Sequence, residues 1–140
     1  LTINLSEQSF PGKFDQLKHI SDFVSAFARE AGFPEEEIYQ ISLAVDEACS
    51  NIIEHAYGKE QEGCIDCSCS FDQAALTISL RDDGRSFSPD EVPQPKISAP
   101  LKHRKAHGLG YFFIQKIMDD VQYTPNAGYG NLLVLRKRIG

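Results

Sequence analysis

Apolar residues recur along this chain with two periods, and the switch between them predicts its elements. From Phe14 to Ala31, residues Leu17, Ile20, Val24, Phe27 and Ala31 fall at the spacing of one buried helix face. Gly32 ends that helix. A second helix is predicted from Pro34 to about Tyr57, with Ile38, Ile41, Val45, Ala48 and Ile52 as its apolar stripe. Pro34 suits a first helical turn, Glu35 to Glu37 suit the positive end of the dipole, and Gly58 offers a C-terminal cap. A third helix begins near Gly108 and reaches Asp120, burying Leu109, Phe112, Phe113 and Ile117.

Strict alternation marks the strands. Thr2 to Ser6 forms a first short one, with Ile3 and Leu5 facing one way. Cys64 to Phe71 and Leu76 to Asp82 follow, joined by a turn near Asp72 and Gln73. Val121 to Thr124 and Asn131 to Lys137 close the chain as a hairpin turning around Asn126 to Gly130. Between Ser88 and His107 the pattern dissolves. Pro89, Pro93, Pro95 and Pro100 rule out a regular element, and a loop of that length within a compact domain is a candidate for function. Helices and strands in this order predict an α+β fold, a two-layer sandwich whose mixed, mostly antiparallel sheet carries helices on one face. Residues 1–140 read as one domain, with no repeat and no linker.

Composition narrows the class. An apolar fraction of 41% with nine Phe and five Tyr is enough for one sizeable core. A net charge of -6 argues against nucleic acid or an anionic membrane as a direct partner, since both attract basic surfaces. No apolar run approaches the roughly 20 residues that span a bilayer. The start is not signal-like, and Leu1 in place of Met points to a trimmed chain. A cytoplasmic protein is expected. Cys64, Cys67 and Cys69 lie close together, but alternation points Cys64 away from the other two and no second pair completes a zinc site. Buried thiols are expected instead, with Cys49 packed in the second helix.

Three places can carry chemistry. On the second helix, Glu47 and Asn51 are four apart and share a face beside the apolar stripe. A carboxylate and an amide oxygen so placed can orient a nucleophile and hold hydrated Mg²⁺, although two solvated polar residues would look the same. At the end of the Leu76 strand, parity turns Asp82 towards the core, where a buried carboxylate needs donors. The exocyclic amine of an adenine would supply one, and Gly84 leaves space for a flat ring. The bland alternative is a turn-forming Asp-Asp-Gly. Opening the third helix, Gly108 and Gly110 expose backbone N–H groups to an anion, with Lys102, Arg104 and Lys105 just upstream. In this order the three supply metal and base, adenine contact, a lid over about 88–107, and a phosphate cradle.

Taken together these segments resemble the N, G1 and G2 boxes of the GHKL (Bergerat-fold) ATP-binding superfamily. The closer resemblance is to its bacterial anti-sigma-factor serine kinases, carried by AVDEACSNIIEHAYG from Ala44, DDGRSFSP from Asp82, GLGYFFIQKIMDDVQY from Gly108, and Gly130-Asn131. It implies Glu47 as general base, Asn51 as Mg²⁺ ligand, Asp82 and Gly84 at adenine, and Gly108 and Gly110 at phosphate. Phe87, Leu109 and Lys105 join the nucleotide contacts. Ser86 stands where many superfamily members have a second glycine, and Phe87-Ser88-Pro89 resembles the Phe-Asp-Pro of the anti-sigma branch. Asp46 is a rival carboxylate, but it points about 100° round the helix from Glu47.

The resemblance implies a bacterial protein serine/threonine kinase using ATP, with ADP as product, and Mg²⁺. Its expected partners are a STAS-domain anti-anti-sigma protein, which it phosphorylates, and a sigma factor, which it sequesters by partner switching, usually as a homodimer. The alternatives are a nucleotide-gated binding module without phosphotransfer, an excised histidine-kinase catalytic domain, and a fragment of a gyrase- or MutL-like ATPase.

Overall fold

The computed structural model of the chain describes residues 3–58, 63–86, 110–126 and 130–140. Five strands, β1 (Ile3–Pro11), β2 (Cys64–Asp72), β3 (Ala75–Asp82), β4 (Asp120–Thr124) and β5 (Asn131–Arg138), form one sheet in the order β1-β2-β3-β5-β4. Every pairing between them is antiparallel, so the mixed sheet expected from the sequence is wholly antiparallel among the described residues. Helices α1 (Leu17–Ala31), α2 (Glu35–Asn51) and α3 (Gly110–Ile117) make the second layer.

The core lies between the layers. Ile65, Cys67, Cys69 and Phe71 of β2 and Leu76, Ile78 and Leu80 of β3 are buried, as alternation requires. They meet Ile20, Val24 and Phe27 of α1 and Ile38, Ile41, Val45 and Ala48 of α2. Each such side chain contributes about 1.5–3 kcal/mol on leaving water. The expected cysteine burial holds: Cys49, Cys67 and Cys69 are buried and Cys64 is exposed. Among the described residues no cluster of His, Cys, Asp or Glu can hold a metal ion. No helix among them is long and apolar enough to cross a membrane.

Several boundaries differ from those read in the sequence. β1 runs to Pro11, because polar Glu7 to Ser9 still pair with Asp66 to Ser68 at a sheet edge where no apolar alternation is needed. A register irregularity between Ile3 and Ser6 breaks the early parity, and Leu5 is exposed while Phe10 is buried. A short 3-10 turn, Phe14–Gln16, precedes α1, and Phe14 is exposed. Gly32 caps α1 as expected, at φ 104° with its N–H on the Ala28 and Arg29 carbonyls. Pro34 is the extended residue before α2 rather than part of its first turn. The β2–β3 turn falls on Gln73 and Ala74, both at positive φ.

The third helix faces the core differently from the expectation. It spans Gly110–Ile117, short of Asp120, and its buried residues are Gly110 and Ile114, with Met118 just beyond. Phe112 is 57% exposed and Phe113 and Ile117 are half-buried. In an apolar run such as Tyr-Phe-Phe-Ile, residue type does not reveal which side faces inward. Met118 N–H makes the last i→i−4 bond, to the Ile114 carbonyl, and Lys137 Nζ satisfies the Ile117 carbonyl at 3.0 Å where the helix ends.

Candidate active site

Helix α2 reaches the predicted end near Tyr57 only by changing its winding. At Ile52 it widens into a π-helical segment, Ile52–Tyr57, capped by Gly58 at φ 81°. Such segments are uncommon and concentrate at functional sites. Glu47 and Asn51, at the end of the regular part, are each only 5% exposed. The reading of two solvated polar residues is thereby overturned: α2 is buried round more of its circumference than its apolar stripe covers.

Asp82 is 3% exposed, facing the core as strand parity requires. Its Oδ1 accepts Asn131 Nδ2 and the Gly84 N–H, both at 3.0 Å. No described residue donates to its Oδ2. Burial pushes the Asp82 carboxyl above the usual aspartate range; the hydrogen bonds from Asn131 and Gly84 oppose that rise, and nearby Asp83 adds to it.

Asn131 organises this end of the sheet. It pairs with Asp82 across β3 and β5 and is 1% exposed. Its Nδ2 also reaches the Gly84 carbonyl at 3.0 Å, while its Oδ1 accepts the Ser86 hydroxyl at 2.7 Å and the Asn126 N–H at 3.1 Å. Gly130 precedes it at φ 123°, and a Cβ there would collide with the Asp82 carbonyl. The sequence placed Gly130-Asn131 in the pattern but gave Asn131 no task. The available signal was a polar residue opening an otherwise apolar strand.

A narrow recess opens between α2, α3 and the sheet. Asn51 and Asp82 line it, with Ala48, Ile52, Ile114 and Leu133 as its apolar walls and Tyr111 and Tyr123 at its side. Only about 10 Å³ of it admits the centre of a water-sized sphere, far below the ~300–1,000 Å³ typical of ligand sites, so a base enters only if the walls part. The Asn51 amide takes no hydrogen bond from a described residue. Two buried polar side chains therefore offer acceptor oxygens to one partly apolar space.

The other expected residues fall around it or outside the described chain. Glu47, one helical turn before Asn51, is buried but does not line the recess, and neither does Gly84. A Cβ on Gly84 would stand 2.5 Å from the Ala56 carbonyl, so close packing on the π-helical segment is enough to require glycine there. Gly110 opens α3 at φ 58°, a left-handed conformation that favours glycine. Phe87, Lys105, Gly108, Leu109 and the expected lid at 88–107 lie outside the described residues. The rival Asp46 is set on the α1 side of the helix, beside Ser21, and its Oδ1 is buried without a partner among the described residues.

A sandwich with this site has a family. The model of the histidine kinase-like ATPase domain matches residues 10–137, and the chain belongs to that ATP-binding family. Within it, the chain is 32% identical over 126 residues to the serine-protein kinase RsbW of Bacillus cereus strain AH187, covering 87% of this chain and 78% of that protein. The RsbW of Bacillus thuringiensis strain Al Hakam matches with the same identity and coverage. Among solved structures, the RsbU and RsbW domains of Rv1364c from Mycobacterium tuberculosis superpose with a TM-score of 0.69 over 98% of this chain at 14% identity. This chain covers 33% of that longer protein, and the likeness shows the fold alone.

Proposed function

We propose that the chain is an ATP- and Mg²⁺-dependent protein serine/threonine kinase of the anti-sigma type. The observation that carries this reading is the pair of acceptors, Asp82 Oδ2 and the Asn51 amide oxygen, lining one recess without a donor among the described residues. Asp82 would accept the exocyclic amine of a bound adenine, with the apolar walls on either side of the base. Asn51 would hold Mg²⁺, whose charge would offset that of the phosphates. Glu47, on the same helix face one turn away, takes the proton of the attacking hydroxyl. Phosphate would meet the start of α3 at Gly110, and Gly108, Leu109, Lys105 and Phe87 are the further nucleotide contacts in this reading.

The phosphorylated partner in this reading is a STAS-domain anti-anti-sigma protein, and the captured one is a sigma factor. The serine-protein kinase name of the RsbW relatives supports phosphotransfer to a serine, and the match covers 78% of their length. The setting is the bacterial cytoplasm, and the kinase acts as a homodimer. The test is transfer of labelled γ-phosphate from Mg-ATP to STAS proteins of the same source, with Glu47→Ala alongside. Label on a serine or threonine, lost in the variant, supports the kinase. Tight ATP binding without transfer to any candidate would replace it with a nucleotide-gated binding module.

A further inference from the structure

The last residues of the π-helical segment hold the turn that follows Asp82. The Arg85 N–H donates to the Ala56 carbonyl at 2.9 Å, and Arg85 Nε donates to the His55 carbonyl at 2.8 Å. The Tyr57 hydroxyl donates to the Cys64 carbonyl at 2.6 Å and accepts the Asp83 N–H at 3.2 Å. Gly84, between these two anchors, packs directly on Ala56. The last carbonyls of a helix have no partner within it. Here the widened final turn presents them to the loop instead.

These contacts join two parts of the site that are distant in sequence. On one side, Asn51 passes directly into the π-helical segment. On the other, Arg85 follows Asp82 by three residues. Neither Tyr57 nor Arg85 lines the recess. We propose that Tyr57 and Arg85 are positioning residues that lock the metal-side helix to the base-side turn, so that binding of adenine at Asp82 sets Asn51 for Mg²⁺. This inference rests on the ATP-site reading above. The widened turn has a use in it: six residues of rigid backbone carry the position of Asn51 to the Asp82 loop.

The lock is tested by the ratio of ATP affinities measured by calorimetry in Mg²⁺ and in EDTA. Tyr57→Phe removes the hydroxyl while keeping the ring that packs against Gly12 and Gly63. Arg85→Met removes the exposed donor. Arg85→Gln places an amide nitrogen the same number of bonds from Cα as Arg Nε, so it restores the bond to His55 without the charge. One hydrogen bond is worth roughly 3- to 10-fold in an equilibrium. Tyr57→Phe and Arg85→Met are expected to reduce the Mg²⁺ enhancement of ATP binding by about that factor, with affinity in EDTA within about twofold. Arg85→Gln is expected to recover it. A merely structural role would lower both affinities together and overturn the lock, as would an unchanged ratio or a Gln variant behaving like Met. Failure of the unaltered chain to bind ATP at all would overturn the ATP-site reading itself, and the lock with it.

Discussion

Replacing Asp82 by Asn separates the hydrogen bonds this carboxylate makes within the fold from the adenine contact proposed for it. The Asn carbonyl keeps the Oδ1 position, so the bonds from Asn131 and Gly84, both at 3.0 Å, survive. What changes is the atom facing the recess, an acceptor replaced by a donor. In the unliganded chain the change is expected to be neutral or favourable. Burial raises the Asp82 carboxyl, so its linkage contribution to stability is present below the unfolded aspartate value and lost as pH rises through the folded one. At pH 7 the ionised group weakens the fold, and Asn removes that cost. Binding should move the opposite way. A charge-assisted bond to the adenine amine is worth about 1.5–3 kcal/mol, and two donors face to face cost about 1–3 kcal/mol more. At ~1.4 kcal/mol per tenfold, ATP affinity should fall by roughly 100-fold or more. Calorimetric titration with Mg-ATP, beside thermal melts at pH 7 and pH 4, reads both effects. The melting temperature of the variant should match or exceed that of the original at pH 7, and the gain should shrink on acidification. Unchanged affinity would refute the base assignment; a large drop in melting temperature would refute the claim that the Oδ1 bonds carry over.

Asn131→Ala should destabilise the chain by about 2–4 kcal/mol in urea unfolding, since it strands Asp82, Gly84 and Ser86 groups at once; a cost below ~0.5 kcal/mol would contradict its place as the hub. Gly84→Ala forces a Cβ against the Ala56 carbonyl and should cost about 1–3 kcal/mol by the same measurement, with ATP affinity lowered as the turn shifts. Asp46→Asn should leave phosphotransfer within about twofold, because Asp46 is turned away from Glu47. Burial and then the Asp22 charge raise the Asp46 carboxyl, against the opposing Ser21 hydroxyl. By the same sign, the Asp46→Asn variant should melt no lower at pH 7, and any gain should fade as pH falls through the folded Asp46 value.

The parts legible in the sequence are those in which one face is apolar and the other is not. Alternation in β2 and β3 gave strand parity, and parity alone turned Asp82 inward. Helical spacing gave α1 and α2 with their buried stripes. Parts with no such contrast were hidden. The apolar run of α3 leaves its facing undetermined, and the polar edge strand β1 pairs for longer than its pattern suggests. Asn51 shares its recess with residues of α3 and the sheet, and Glu47 is buried as well, which no local pattern records. The π-helical winding and the hub at Asn131 arise from contacts between segments about 30 to 50 residues apart in sequence, such as Asp82 with Asn131. The Glu47–Asn51 pairing was legible because the two need only one helix to be neighbours, and both are buried.

The most direct test of an ATP site in this recess is an amide NMR titration with Mg-ATP. The largest shifts are expected at Asn51, Asp82, Gly84, Tyr111, Ile114 and Leu133, where α2, α3 and the sheet meet. Shifts confined instead to the open sheet face around Ser68 and Ser79, with those residues unmoved, would contradict the site.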